Sequence, residues 1–134
     1  TTAGVAFGDY DPIAGANIVQ EGGVTVACTK GAAGLWVGLG NGSNFVGTRN
    51  MNGGLTSDKL AYNLMQPLTN AVGAACPIYG SGSAWTNTVG ATSLALTNST
   101  GKAGRTYKVC GQLASGQDVS VDSYSDTVVA TINF

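Results

Sequence analysis

The chain contains seven carboxylates, three cysteines and no histidine, and these residue types limit the chemistry available to it. Without histidine it lacks the commonest general base and any Ser-His-Asp arrangement. Asp9 and Asp11 alternate and could flank a calcium ion, but a turn before Pro12 explains them as well. The acidic residues between 118 and 126 are typical of turns and strand starts. No catalytic group is predicted, so we do not expect an enzyme.

The three cysteines, Cys28, Cys76 and Cys110, form no CxxC pair. With no histidine beside them, a zinc site is not expected, and no metal or other cofactor is predicted. An odd count favours one disulfide and a leftover thiol, or a partner outside this chain. The alternative is three reduced thiols in a cytosolic protein.

Aromatic side chains offer one binding chemistry. Trp36, Trp85 and Tyr79 could form a platform for a sugar ring, although isolated aromatic residues in β-proteins usually belong to the core or cover an edge. The glycine-rich stretches GLGNG and GSGS lack the lysine of a phosphate-binding loop and are more typical of turns.

Composition excludes several partners. Charged residues make up 10% of the 134-residue chain and the formal net charge is −1, against about 25% charged residues in typical domains. No basic field is available for nucleic acid, and no apolar run approaches the roughly 20 residues of a membrane span. A surface with so few charged residues is tolerated better by extracellular structural proteins and assembly subunits than by intracellular proteins. The length corresponds to a single domain, residues 1–134.

The elements that must position these residues are strands. Short runs of alternating apolar and polar residues, separated by Gly, Asn, Asp and Ser, predict about seven strands at hairpin-like spacing. This pattern is typical of an antiparallel sandwich or barrel. Residues 66–90 are irregular and are predicted to form a long loop with room for one short strand. The last run places on one side the apolar residues Val128, Ala130, Ile132 and Phe134.

Several segments, taken in order, resemble one family. FGDYDP (7–12) resembles the FG-x-YDP signature of the spore coat protein U domain, and GGVTVACT (22–29) resembles its second strand. TRNM (48–51) and LAYNLM (60–65) are similar to its R-x-M and L-x-Y-x-L segments. The run from YKVCGQL through YSDTV to the last residue resembles its closing part. Together these segments span nearly the whole chain.

This resemblance implies a secreted bacterial protein. Most members resemble pilins or adhesins of the archaic chaperone–usher pathway, and spore coat proteins form a smaller branch. The implied fold is an immunoglobulin-like sandwich that lacks its last strand. The resemblance further implies that a periplasmic chaperone first fills the open groove, that the N-terminal extension of the next subunit then fills it, and that an outer-membrane usher takes part in assembly. The groove is then lined by Val128, Ala130, Ile132 and Phe134.

The chain departs from the family pattern near its start. The family commonly carries a cysteine shortly before FG-x-YDP that would bridge to the position of Cys28, and here none precedes the motif. Residues 1–7 are also short for both a donor and a first strand. We therefore expect either a sequence clipped upstream or an unusual subunit, with Cys28 lacking its partner. Cys76 and Cys110 are predicted to pair and to pin the long loop to the sandwich.

Three functions are consistent with this reading. The first is a structural pilin that polymerises with copies of itself at the cell surface and supports adhesion and biofilm formation. The second is a tip adhesin or binding module that uses the 66–90 loop, with Tyr79 and Trp85. The third is a spore or cell coat protein whose sandwich is self-complemented or dimeric. Nucleic-acid binding and membrane insertion are expected of none of them.

Overall fold

A computed structural model describes all residues from Thr1 to Phe134. No helix in it has the length and apolar character needed to cross a lipid bilayer. The chain forms nine β-strands: β1 (Thr2–Ala3), β2 (Ile18–Val26), β3 (Trp36–Leu39), β4 (Arg49–Gly53), β5 (Lys59–Met65), β6 (Leu94–Ala95), β7 (Arg105–Leu113), β8 (Tyr124–Ser125) and β9 (Ala130–Asn133).

The strands form two antiparallel sheets. The larger sheet has six strands in the order β1-β2-β7-β5-β4-β8, and the smaller has three in the order β6-β3-β9. The longest pairing joins β2 to β7, from Ile18 opposite Leu113 to Val26 opposite Arg105. The predicted all-β, immunoglobulin-like sandwich is confirmed. The nine strands exceed the predicted seven by two, and three of the nine, β1, β6 and β8, are only two residues long.

Alternation within the strands builds the core. Leu35, Val37 and Leu39 are buried along β3 and its start, as are Leu60 and Leu64 on β5. Side chains of successive strand residues point to opposite faces, so each strand gives one apolar row to the space between the sheets. Burying one such side chain stabilises the fold by about 1.5–3 kcal/mol.

Trp85 lies in this core, which corrects its assignment to a surface-binding loop. Its side chain is 0% exposed. Its indole N–H donates to the carbonyl of Val37 (2.8 Å), and its backbone N–H donates to the carbonyl of Leu64 (2.9 Å). The loop thus returns to the sandwich, and the Trp85 ring packs between β3 and β5. Burial of the large apolar ring, with its one polar group satisfied, accounts for this position.

The N-terminal segment (residues 1–10) leaves the edge of the larger sheet after β1 and crosses its inner face. A Cβ atom at Gly111 would lie 2.6 Å from Val5 Cγ1 and 2.8 Å from Phe7 Cζ. A Cβ at Gly22 would lie 2.6 Å from a backbone oxygen of the same segment. Glycine is therefore required at these two inner positions, because any side chain would displace the segment. The Phe7 ring packs 6.0 Å from that of Tyr62.

The FGDYDP motif fastens the far end of this segment. The Tyr10 hydroxyl donates to the carbonyl of Ala114 (3.0 Å) and accepts from the backbone N–H of Gln117 (2.6 Å). Asp11 Oδ1 accepts from the N–H groups of Ile13 and Ala14, which lowers the pKa of this carboxyl. Asp11 is thus a turn residue, as the sequence indicates.

Candidate functional site

The closing segment (residues 124–134) changes from one sheet to the other. Its first part, β8, pairs with β4 of the larger sheet, and its last part, β9, pairs with β3 of the smaller sheet. Asp126 holds the crossing point. Its carboxylate accepts the Tyr62 hydroxyl (2.6 Å), the backbone N–H of Asn44 (3.2 Å) and the Asn44 side-chain amide (3.0 Å).

A buried arginine joins the same region to β3. The Arg49 guanidinium donates to the carbonyls of Leu39 (3.1 Å), Gly40 (2.8 and 3.0 Å) and Trp85 (2.6 Å), and the residue is 8% exposed. These three carbonyls lie at the end of β3 and on the long loop. A fork of donors in fixed geometry suits several acceptors at once, which a lysine could not match.

Burial and neighbouring charges affect the pKa values in the cluster formed by Arg49, Tyr62 and Asp126. Burial lowers the pKa of Arg49, while Tyr62 and Asp126 act in the opposite direction. Burial, followed by the hydrogen bond to Asp126, raises the pKa of the Tyr62 hydroxyl. The hydroxyl therefore stays protonated and donates. Arg49, Tyr62 and Asp126 come from three separate motif segments, and the fold places them around one crossing point.

The outer edge of β9 carries no partner strand, because β9 is the last strand of its sheet. The backbone N–H groups of Gly40 and Ser43 donate to the carbonyls of Val129 (2.9 Å) and Thr127 (3.0 Å). In an antiparallel ladder, alternate residues direct both backbone groups to the same neighbour. The odd-numbered residues thus face β3, and the even-numbered residues 128–132 direct their N–H and C=O groups to the open side.

A groove runs along this open edge between the closing segment and the N-terminal segment. Three clefts, of about 570, 270 and 560 Å³, each share lining residues with the next. The middle and last clefts are lined by β9 and form this groove, whereas the first continues it between the N-terminal segment and residues 119–124. The floor of the middle cleft is apolar and is formed by Val24, Leu39, Leu64 and Val109. Asp126 is the only charged side chain in the middle cleft, and the cleft beside Ile132 has none.

The four residues assigned to the groove from the sequence all line it. Val128, Ala130 and Ile132 are partly buried and pack against the core. Phe134 lies at the open end and is 96% exposed, so it contributes little to the core. Its apolar ring is therefore free to contact whatever occupies the groove.

The opposite wall of the groove was missed by sequence reasoning. It is formed by the N-terminal segment, including Thr2, Val5 and Phe7. Two glycines in the sequence indicate this wall: Gly22 and Gly111 interrupt the buried rows of β2 and β7 at inner positions. A glycine in such a row marks a close approach of other backbone or side chains.

The cysteines divide into one bonded pair and one free thiol. Cys76 and Cys110 form a disulfide with Cα atoms 5.6 Å apart, and Cys28 is free and partly buried. Cys110 lies on the outer face of β7 and is 0% exposed beneath the long loop. Gln112 on the same face bonds that loop through Gly80, Ile78 and Ser81. Tyr79, the second residue assigned to a surface-binding loop, is 37% exposed there.

We expect thiol titration of the denatured, unreduced chain to give one reactive thiol, from Cys28, and three after reduction. In the chain-entropy model, closing a loop of this length stabilises the fold by about 3–4 kcal/mol. Cys28→Ser should leave no reactive thiol before reduction and is the control. Three reactive thiols without reduction would contradict the pairing.

The fold and the open edge together define a class: an all-β, immunoglobulin-like domain with a groove along the edge of its last strand. The chain belongs to the Spore Coat Protein U domain family, whose model matches residues 1–131. No curated protein sequence matches it significantly.

One solved structure with a similar fold is the crystal structure of the CsuC–CsuE chaperone–tip adhesion subunit pre-assembly complex from the archaic chaperone–usher Csu pili of Acinetobacter baumannii. The TM-score is 0.54 at 16% sequence identity, and the match covers 98% of this chain. This chain spans 39% of the length of the chain it matches.

Proposed function

We propose that the protein is a structural subunit, a pilin, of an extracellular bacterial pilus assembled by the chaperone–usher pathway. Neighbouring subunits of the same kind would join by donor-strand complementation, and the fibre would support adhesion and biofilm formation. The observation that carries this proposal is the groove beside β9, where even-numbered residues direct unpaired backbone groups to an apolar cleft.

An added strand would pair the open backbone groups of this groove and cover its apolar side chains. Exposed N–H and C=O groups along a strand edge favour pairing with another chain, and β-augmentation supplies the hydrogen bonds. A donor that buries about five apolar side chains at about 1.5–3 kcal/mol each gains on the order of 10 kcal/mol before its ordering is counted. This is comparable to the whole stability of a domain. An unfilled subunit should therefore be marginally stable and prone to aggregate.

The proposed partners follow from the same groove. A periplasmic chaperone would cover it before assembly, and an outer-membrane usher would exchange the chaperone for the next subunit. The family membership and the Csu complex with a similar fold support this route. A disulfide between Cys76 and Cys110 suits an oxidising compartment such as the periplasm.

The test is an SDS gel of surface-extracted protein, with unheated and boiled samples side by side and the N-terminus of the monomer band sequenced. We expect a ladder of multimers that collapses only on boiling, since strand-exchanged subunits resist detergent. Residues upstream of Thr1 in the mature chain would identify the donor. A single monomer band in both lanes would favour the tip-adhesin or coat-protein alternative.

A further inference from the structure

A fourth cleft, of about 320 Å³, lies across β3 from the groove. β6 and β9 flank β3 on opposite sides, and the cleft forms at β6 together with the start of the long loop. We call it the Trp36 cleft, and its lining includes Trp36, Gln66, Leu68, Asn70 and Ser83. A strand added at β9 would not cover it, so the cleft stays open whether or not the groove is filled.

The backbone that carries the aromatic ring of this cleft is held on both sides. Trp36 pairs with Ala95 of β6 and with Asn133 of β9, so its backbone is fixed from both sides. The side chain is partly buried, and no group of the chain accepts a hydrogen bond from its indole N–H. Because a partly buried ring on a fixed backbone has limited freedom, a ligand that stacks on it costs little ordering entropy, and the indole N–H remains available as a donor.

The polar residues of the cleft are amides and hydroxyls, with no charged side chain among them. The Gln66 amide N–H donates to the carbonyl of Thr92 (2.9 Å), and that of Asn70 donates to the carbonyl of Ala95 (2.9 Å). These bonds fix the two side chains, while neither amide oxygen accepts a hydrogen bond from the chain. Two oriented neutral acceptors thus lie beside an apolar ring.

We propose that the Trp36 cleft binds an uncharged saccharide, with one pyranose ring stacked on Trp36. The apolar C–H face of a sugar suits the indole, and its hydroxyls are the donors that the Gln66 and Asn70 oxygens need. An anionic ligand would find no cation in the lining. This site would allow each subunit to bind a ligand on the side of the fibre, away from the contact between subunits.

The test uses the indole N–H signals of the ¹⁵N-labelled chain, because its two tryptophans act as probe and control. The probes are linear oligosaccharides of glucose, mannose, galactose and N-acetylglucosamine at millimolar concentration. We expect one of them to shift the Trp36 signal saturably while the Trp85 signal, buried and bonded to Val37, stays in place.

Trp36→Ala removes the probe signal, so its binding is measured by titration calorimetry and should be weaker by roughly 2–10-fold or more, since stacking is lost, while an unchanged Trp85 signal reports an intact core. Tyr79→Ala, an exposed aromatic on the same loop outside the cleft, should bind normally. No shift of the Trp36 signal with any probe would overturn the proposal. Equal shifts of both signals, or binding that survives Trp36→Ala, would overturn it as well. None of these readouts depends on fibre assembly, so the site and the pilin function fail separately.

Discussion

Replacement of Ile132 by aspartate is expected to abolish fibre assembly. Ile132 lies on β9, packs partly against the core and lines a cleft without charged side chains. Its backbone groups face the open edge, so any added strand must pass directly beside it. Closing the groove over a carboxylate would desolvate a charge in a cleft that has no cationic side chain, which costs several kcal/mol. We expect at least about a hundredfold weaker capture of a donor, equivalent to about 2.7 kcal/mol.

The measurement is the multimer ladder on unheated SDS gels, with chaperone co-purification as a second readout. Val129→Asp is the matched control, because Val129 is the same type of residue on the same segment but is 66% exposed. Its carbonyl faces β3 and its side chain faces solvent, so assembly should proceed. The buried Trp85 indole signal reports whether each variant folds. A normal ladder from Ile132→Asp would contradict the role assigned to the groove.

Arg49→Met is expected to lower the free energy of unfolding by about 3 kcal/mol, because three buried carbonyls lose their donor. Methionine retains an apolar stem but removes every donor, leaving the carbonyls of Leu39, Gly40 and Trp85 without their partner. The variant also no longer has to bury a cation, and the desolvation free energy saved offsets part of the destabilisation. Each buried acceptor left unpaired costs about 1–3 kcal/mol, so the net effect remains strongly destabilising.

Urea unfolding, followed by tryptophan fluorescence, measures this change. Lys108→Ala is the control because it also removes a cation, but from a surface pair with Glu21 at 3.0 Å. Its side chain is 35% exposed, and such pairs contribute about 0–1 kcal/mol. If Arg49→Met cost no more than Lys108→Ala, the three carbonyls would have to be satisfied in some other way.

The strands could largely be predicted from the sequence because alternation is a local signal. Leu60, Tyr62 and Leu64 share a face in the sequence pattern and are all buried in the structure. Trp85 could not be placed in this way. It follows an irregular stretch where no period separates inward from outward positions, and its burial depends on β3 and β5, which are distant in sequence.

The two walls of the groove also differ in whether the sequence predicts them. The even-numbered residues of its β9 wall could be predicted from alternation together with the family resemblance. The N-terminal wall depends on Val5 and Phe7 leaving a sheet edge to lie on Gly22 and Gly111, a tertiary packing choice. The meeting of Arg49, Tyr62 and Asp126 likewise required the fold, since no spacing in the chain links them.

The change of sheets by the closing segment has a consequence for the order of folding. Its two parts complete both sheets, and β9 pairs with a strand much earlier in the chain, with Trp36 opposite Asn133. The core pairing of β2 with β7 also joins residues far apart in sequence. Topologies dominated by such distant contacts fold slowly, and exposed strand edges make the waiting chain prone to misassociate. A newly synthesised chain therefore passes through an interval in which neither sheet is finished, and a partner that holds β9 would act during that interval.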